Sequence, residues 1–163
     1  MSPERLWFVS IALRRRGHKR LALLVKKLNS TIYHNSLAPG ASVSPDVHLG
    51  HHGFGTVVHS NVVIGRGVRI WQNVTIAVRA SSGSPHRIVI EDGVSIGAGA
   101  VIISPYERSL RVARGARIGA GAVVTHDVPA GATVVSAPAR VLGGESIEEI
   151  GDLADDDRRS GDV

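Results

Sequence analysis

Aliphatic side chains recur at every sixth position along most of this 163-residue chain: Val58, Ile64, Ile70 and Ile76, then Ile90, Ile96 and Ile102, then Val112, Ile118 and Val124. Upstream, Leu37, Val43 and Leu49 keep the same step, and downstream Ala130 and Ser136 are expected to continue it with smaller inward residues. Small or turn-forming residues follow each aliphatic, as in Ile64-Gly65-Arg66-Gly67 and Ile118-Gly119-Ala120-Gly121. A step of six fits no face of a helix with about 3.6 residues per turn, and plain strand alternation does not call for glycine at fixed intervals. Short parallel strands joined by tight corners satisfy both. Three units would close one triangular coil, and coils would stack at about 4.8 Å with their backbones paired. The predicted class is all-β, a parallel β-helix, and a β-sandwich is disfavoured because too many inward positions share one register. The period does not set the hand of the coil, since parallel crossovers are ordinarily right-handed.

The register breaks three times, and an insertion in such a coil must loop outward, where function is commonly carried. A step of nine from Leu49 to Val58 ejects part of Gly50-His51-His52-Gly53-Phe54-Gly55. Fourteen residues separate Ile76 from Ile90, which ejects part of Arg79-Ala80-Ser81-Ser82-Gly83-Ser84-Pro85-His86. The third step, ten residues from Ile102 to Val112, ejects part of Ser104-Pro105-Tyr106-Glu107-Arg108-Ser109 and offers no obvious catalyst.

Ahead of the repeat, residues 4 to 28 read as one or two helices. Leu6, Val9 and Leu13 share one face, Leu21, Leu24, Val25 and Leu28 another, and Gly17 lies between them. The expected organisation is a short basic helical cap over 1–36, the β-helix over 37–143 and an acidic, flexible tail over 144–163. Cations (Arg14, Arg15, Arg16, Lys19, Arg20, Lys26, Lys27) crowd the start, and Asp152, Asp155, Asp156 and Asp157 the end. The basic helices are expected to cap the coil stack, with peripheral membrane contact as the alternative. The apolar run Leu6 to Leu13 is too short to span a bilayer and is read as no targeting segment. Nucleic acid is disfavoured as a partner because stacking aromatics and recognition motifs are missing. The chain has no cysteine, which excludes disulfides and thiol catalysis and permits a cytoplasmic location, taken as the default.

A histidine on a loop of a rigid scaffold is a candidate general base, because its ordinary pKa lies near neutrality. Acyl transfer to an alcohol needs a base to take the hydroxyl proton and donors to hold the oxyanion. His51 or His52 is the candidate base, and His86 would bind the acceptor or steady the developing charge. A lone exposed histidine is more often a solvated loop residue, but two histidine-bearing insertions in one repeat favour the functional reading. Zinc held by His48, His51, His52 and His59 is another option, though no metal is expected. Ile96-Gly97-Ala98-Gly99-Ala100 and Ile118-Gly119-Ala120-Gly121-Ala122 would give a pantetheine arm a flat surface, with Arg117 and Arg140 supplying charge. As tight corners of the coil they need no ligand.

Over roughly 37 to 143 the chain resembles the catalytic domain of serine acetyltransferases and their hexapeptide-repeat relatives. The resemblance is carried by Leu49-Gly50-His51-His52-Gly53-Phe54-Gly55-Thr56-Val57-Val58, Gly83-Ser84-Pro85-His86, Ile96-Gly97-Ala98-Gly99-Ala100 and Ser136-Ala137-Pro138-Ala139-Arg140-Val141-Leu142-Gly143. It implies a left-handed coil, a homotrimer with sites between subunits, and acetyl-CoA as acyl donor to serine or another small hydroxylated acceptor. The alternatives are a sugar or polysaccharide acetyltransferase, a zinc lyase like the γ-type carbonic anhydrases, or a noncatalytic scaffold. Counting from Leu49 the resemblance puts the catalytic base at His51, and counting back from Val58 at His52; the second active-site histidine is His86. Where the family has Asp and Arg before its two histidines, this chain has Gly50 or His51 and Pro85. Asp46, Arg79 and Arg87 are the candidate acceptor-binding residues, with Asp46 a substitute for the family's orienting acid. Ala98, Gly99, Arg117, Ala120, Ala137 and Arg140 are the candidate coenzyme A contacts. A single trimer is expected, because the family's long helical domain joining two trimers has no counterpart ahead of residue 37.

Overall fold

The computed structural model describes residues 2–81 and 83–137. Arg140, the rest of the closing signature from 138 to 143 and the acidic tail from 144 to 163 lie outside the described residues. Among the described residues two helices, α1 (Pro3–Arg15) and α2 (Lys19–Tyr33), precede fourteen short strands. The strands form three parallel sheets, one for each face of a prism. Face A stacks β1 (Ser36–Leu37), β4 (Val57–Val58), β7 (Thr75–Ala77), β10 (Val101–Ile103) and β13 (Val123–Val124). Face B stacks β2 (Ser42–Val43), β5 (Val62–Ile64), β8 (Ile88–Ile90) and β11 (Leu110–Val112). Face C stacks β3 (His48–Leu49), β6 (Arg69–Ile70), β9 (Ser95–Ile96), β12 (Arg117–Ile118) and β14 (Thr133–Val134). The chain visits A, B and C in turn, so each coil lies directly on the one before it.

The six-residue period forms this prism because one side chain per unit points inward and a branched aliphatic suits both the extended backbone and the packed axis. In face C, Leu49, Ile70, Ile96 and Ile118 stand in register and are all buried. Leu37, Val58, Ile76, Ile102 and Val124 do the same in face A. The coils lie so close that a Cβ on Gly97 would stand 2.5 Å from the amide nitrogen of Ala120 on the next coil. Glycine at that corner is therefore a condition of the stacking distance.

In the last described coil the inward residues are not Ala130 and Ser136, which are exposed. Val128 is buried and pairs with Val112, and Val134 pairs with Ile118. The corner from Val124 is shortened, held by the Arg111 amide donating to the Asp127 carboxylate. Two valines continue the aliphatic ladders, which alanine and serine would leave thinly packed.

The helices close the lower end of the stack. Ser2 caps α1 by accepting from the Arg5 amide, as serine at an N-cap does. The Trp7 indole donates to the Ala38 carbonyl at 2.9 Å, and the Glu4 carboxylate accepts from the Leu49 amide at 3.2 Å. The buried face of α1 is Leu6, Trp7, Ser10 and Ile11, with Val9 turned outward. This departs from the face expected through Leu6, Val9 and Leu13, because docking of Trp7 rotates the helix. Helix α2 packs on α1 through Ala22 and through Asn29, whose amide donates to the Pro3 carbonyl. Its Leu21, Leu24, Leu28 and Ile32 remain exposed. Among the described residues no helix is long and apolar enough to cross a membrane.

Ile96 is wholly buried between Ile70 and Ile118. Replacing it with alanine opens a cavity in a column that cannot collapse without unstacking the backbone, so Ile96→Ala is expected to cost about 3 kcal/mol. A urea unfolding curve checks this; a loss under about 1 kcal/mol would show that the inward ladder is not the core.

Candidate active site

The prism has three vertical edges, and the insertions distribute the chemistry among them. The edge from face C to face A carries the first insertion, a 3-10 turn over Gly50–Gly53 in which His51 and His52 both adopt left-handed backbone conformations (φ 49° and 58°). Successive positive-φ residues send the two side chains in different directions. The His51 ring lies 6.0 Å from that of Trp71 on the coil above, whereas the His52 ring lies 5.8 Å from that of Tyr33 at the end of α2. The two rings thus part: His51 faces up the edge, and His52 faces back toward the helices.

Above His51 the same edge is built from successive corners bonded one to the next. Asn73 donates its amide to Phe54, Gly99 to Gln72 and Gly121 to Ala98, and the Ser136 hydroxyl donates to Ala120. The Gly97-Ala98-Gly99 and Gly119-Ala120-Gly121 segments therefore form one continuous strip above the Trp71-Gln72-Asn73 corner, reaching Ser136 at its upper end. That strip has almost no side chain and lies beside the outer surface of face C, where Arg69, Ser95 and Arg117 stand in register. Of the candidate cofactor contacts, Ala98, Gly99, Ala120 and Ala137 fall on this edge and Arg117 lies next to it. Trp71, 40% exposed, stands on the edge beside His51 and was missed in the sequence. A large aromatic one residue after an inward isoleucine, where other units carry glycine, is the signal that could have found it.

The second edge, from face A to face B, carries the other two insertions, one above the other. Asn61 on the coil below holds the lower loop by donating its amide to the Ser84 and His86 carbonyls at 3.2 and 3.1 Å. From the upper loop Glu107 reaches down to accept from the Ser81 amide, the Ser81 hydroxyl and the Ser84 hydroxyl, and it stands 3.7 Å from His86 Nε2. These bonds, first among them that from the Ser81 hydroxyl, hold the Glu107 carboxyl below its ordinary value of 4.5. The loop that offered no catalyst in the sequence thus supplies a carboxylate to the neighbouring histidine. Arg87 is exposed, its guanidinium donating to the Pro85 carbonyl at 3.3 Å, and it borders a cleft of about 230 Å³ with Ser42, Ser60, Asn61 and Ser84. Arg79 is exposed and is tied in through its backbone, donating to the Ser104 hydroxyl and accepting from the Glu107 amide.

The third edge, from B to C, is a structural ladder. Asp46 accepts from the Ser44 hydroxyl and the Gly67 amide, Asp92 from the Arg66 amide, and Glu91 from the Arg111 side chain and the Arg114 amide. Each carboxyl is held below its ordinary value, chiefly by the Ser44 hydroxyl for Asp46, the Arg66 amide for Asp92 and the Arg111 side chain for Glu91. Asp46 therefore sits on a different edge from both His51 and His86, with its oxygens engaged in holding coils together. Nor does a single chain unite the two histidines: face A separates their edges, roughly 15–20 Å for five or six extended residues. Among the described residues no group of three His, Cys, Asp or Glu side chains could hold a metal ion, and His59 Nδ1 accepts from the Asn61 amide.

The chain is thus a stacked prism of hexapeptide repeats with a histidine turn and a strip of glycine and alanine corners on one edge. No protein-family model matches the chain. It is 36% identical over 127 residues to serine acetyltransferase of Escherichia coli K12, covering 78% of this chain and 45% of that protein. Against the Bacillus subtilis serine acetyltransferase it is 32% identical over 134 residues, covering 82% and 59%. Among solved structures, serine acetyltransferase of Neisseria gonorrhoeae in complex with serine superposes with a TM-score of 0.72 at 31% identity, over 85% of this chain and 55% of that one. The Brucella abortus serine acetyltransferase in complex with coenzyme A gives 0.73 at 30% identity, over 87% and 55%. The chain is thus a homologue of serine acetyltransferases, which are left-handed hexapeptide-repeat acyltransferases. It spans about half the length of the curated relatives it matches.

Packing at the histidine corner is open to direct test. A Cβ on Gly50 would stand 2.5 Å from Trp71 Cε3, so Gly50→Ala must displace the indole. A red shift of tryptophan emission with little change in the unfolding midpoint is expected, since Trp7 is buried elsewhere. An unchanged spectrum would show that the indole does not close this corner.

Proposed function

We propose that this protein is an acetyl-CoA-dependent O-acetyltransferase acting on the hydroxyl of serine or another small hydroxylated acceptor, with His51 as general base. The observation that carries this is the single edge on which His51 lies at the foot of the Gly97–Gly99 and Gly119–Gly121 corners. A strip of glycine and alanine lets an extended thiol-bearing arm lie against the coils, and one corner below its lower end, beyond Trp71-Gln72-Asn73, stands the His51 imidazole. Relatives of the same fold hold serine in one structure and coenzyme A in another, which supports the same two ligands here. In the reaction His51 takes the acceptor hydroxyl proton as the oxygen attacks the thioester carbonyl. The tetrahedral intermediate then breaks its C–S bond, and the imidazolium returns the proton to the departing thiolate. Arg117 on face C supplies positive charge for the phosphates, and Arg140 is assigned the same task.

A homotrimer completes the site. Val57, Thr75, Val101 and Val123 form an outward ladder on face A, an apolar strip between the His51 edge and the His86 edge. A second copy packed there brings His86 of one subunit toward His51 of another, which a single chain cannot do. His86, with Arg87 and Arg79, then serves the acceptor side. A peripheral contact with an anionic membrane fits the exposed Leu21, Leu24, Leu28 and Ile32 on α2 beside the cationic residues of both helices. A cytoplasmic location belongs to the same proposal.

Release of coenzyme A thiol from acetyl-CoA, measured with serine, homoserine and aminosugars in turn, tests the activity. His51→Ala is expected to lower kcat by roughly a hundredfold or more, and His52→Ala to leave it within a fewfold. An undiminished rate in His51→Ala would remove the assigned base. The strip is tested separately by Ala120→Trp at an exposed position, expected to raise KM for acetyl-CoA at least tenfold with the fold intact. Unchanged KM would place the cofactor elsewhere.

A further inference from the structure

We infer that Glu107 is a positioning residue for His86, holding the imidazole by Nε2 so that Nδ1 is the atom presented to the acceptor. This deepens the proposed acetyl transfer and rests on it for the identity of the acceptor, but the carboxylate–imidazole pair stands on its own geometry. Glu107 lies on the third insertion in a left-handed conformation (φ 49°), which turns its side chain down to the loop below. One carboxylate oxygen, Oε1, accepts from the amide and hydroxyl of Ser81. The other, Oε2, accepts from the Ser84 hydroxyl at 3.1 Å and stands 3.7 Å from His86 Nε2. Three donors therefore set the carboxylate before the histidine meets it, and both members of the pair are about one-third exposed, reachable from outside yet partly withdrawn from water.

The histidine is fixed from its own side as well. Asn61 holds the His86 carbonyl, and the His86 amide donates to the Ser84 hydroxyl, so its backbone is fixed while Nε2 faces the Glu107 carboxylate at 3.7 Å, within ion-pair range and beyond a direct hydrogen bond. A carboxylate beside Nε2 favours the tautomer with the proton on that nitrogen and leaves Nδ1 as the available one. The other charged residues on these two loops are Arg79, Arg87 and Arg108, with His59 on the corner beneath. Among the described residues no ion pair joins a carboxylate to His51, and Asp46 is on another edge. Among the described residues the carboxylate–imidazole pair lies on His86.

Glu107→Gln tests the assignment, because glutamine retains an oxygen able to accept from Ser81 while removing the charge. Expected are a kcat reduced about tenfold or more with KM for acetyl-CoA unchanged, an altered His86 tautomer signal in ¹⁵N imidazole spectra of the full chain, and partial recovery of kcat in Glu107→Asp. Should Glu107 merely fasten the two loops, Glu107→Gln would lower the unfolding midpoint while kcat and the His86 spectrum stayed as in the wild type, and the inference would fall. If the wild-type chain released no thiol with any acceptor, the proposed activity would fail, yet the tautomer signal would still decide whether Glu107 holds His86.

Discussion

Backbone pairing between stacked coils is the constraint from which the rest of the molecule follows. Each coil donates and accepts along its length to the coils above and below, as from Trp71 to Ile96 and from Gly97 to Ile118. Strands of two or three residues have little stability alone, and only the repetition of the same inward residue in the same place makes the column cohere. A coil so bound has no slack. An added residue must leave the prism, and a removed one must be made good by a shorter corner, as happens between Val124 and Val128.

That rigidity explains why the chemistry gathers on edges. Faces are occupied by pairing, and their outward residues are limited to one or two per strand. Corners tolerate glycine, positive φ and insertion, so two of the three edges present imidazoles. The B-to-C edge received no insertion, and its carboxylates instead hold backbone amides of the adjoining coil. Asp46 illustrates the distinction: an acid near the histidines in sequence stands on another edge because face C, one side of the prism, separates Asp46 from His51.

The edges also divide the proposed active site between molecules. His51 and the glycine strip share one edge, while His86 and Glu107 share another, with face A between them. In the proposed trimer, a cleft where two prisms meet would resolve the separation and give the outward Val57, Val101 and Val123 something to pack against. Glu107 adds an interaction between two insertions, which lets the second histidine be aimed by its own chain before any partner arrives.

Periodicity was enough to determine the coil, the inward residues from Leu37 to Val124 and the three insertions, because one-dimensional spacing maps directly onto a structure that repeats along one axis. The motifs around His51, His86 and the glycine corners were visible for the same reason. Only the tertiary structure decided what depends on direction: that His51 faces Trp71 while His52 faces Tyr33, that Trp7 rotates α1 so Val9 points outward, and that Val128 replaces Ala130. It also joined Glu107 to His86 across twenty-one residues. Side-chain direction at an insertion is set by φ and by contacts between coils, and neither is written in the spacing of residues along the chain.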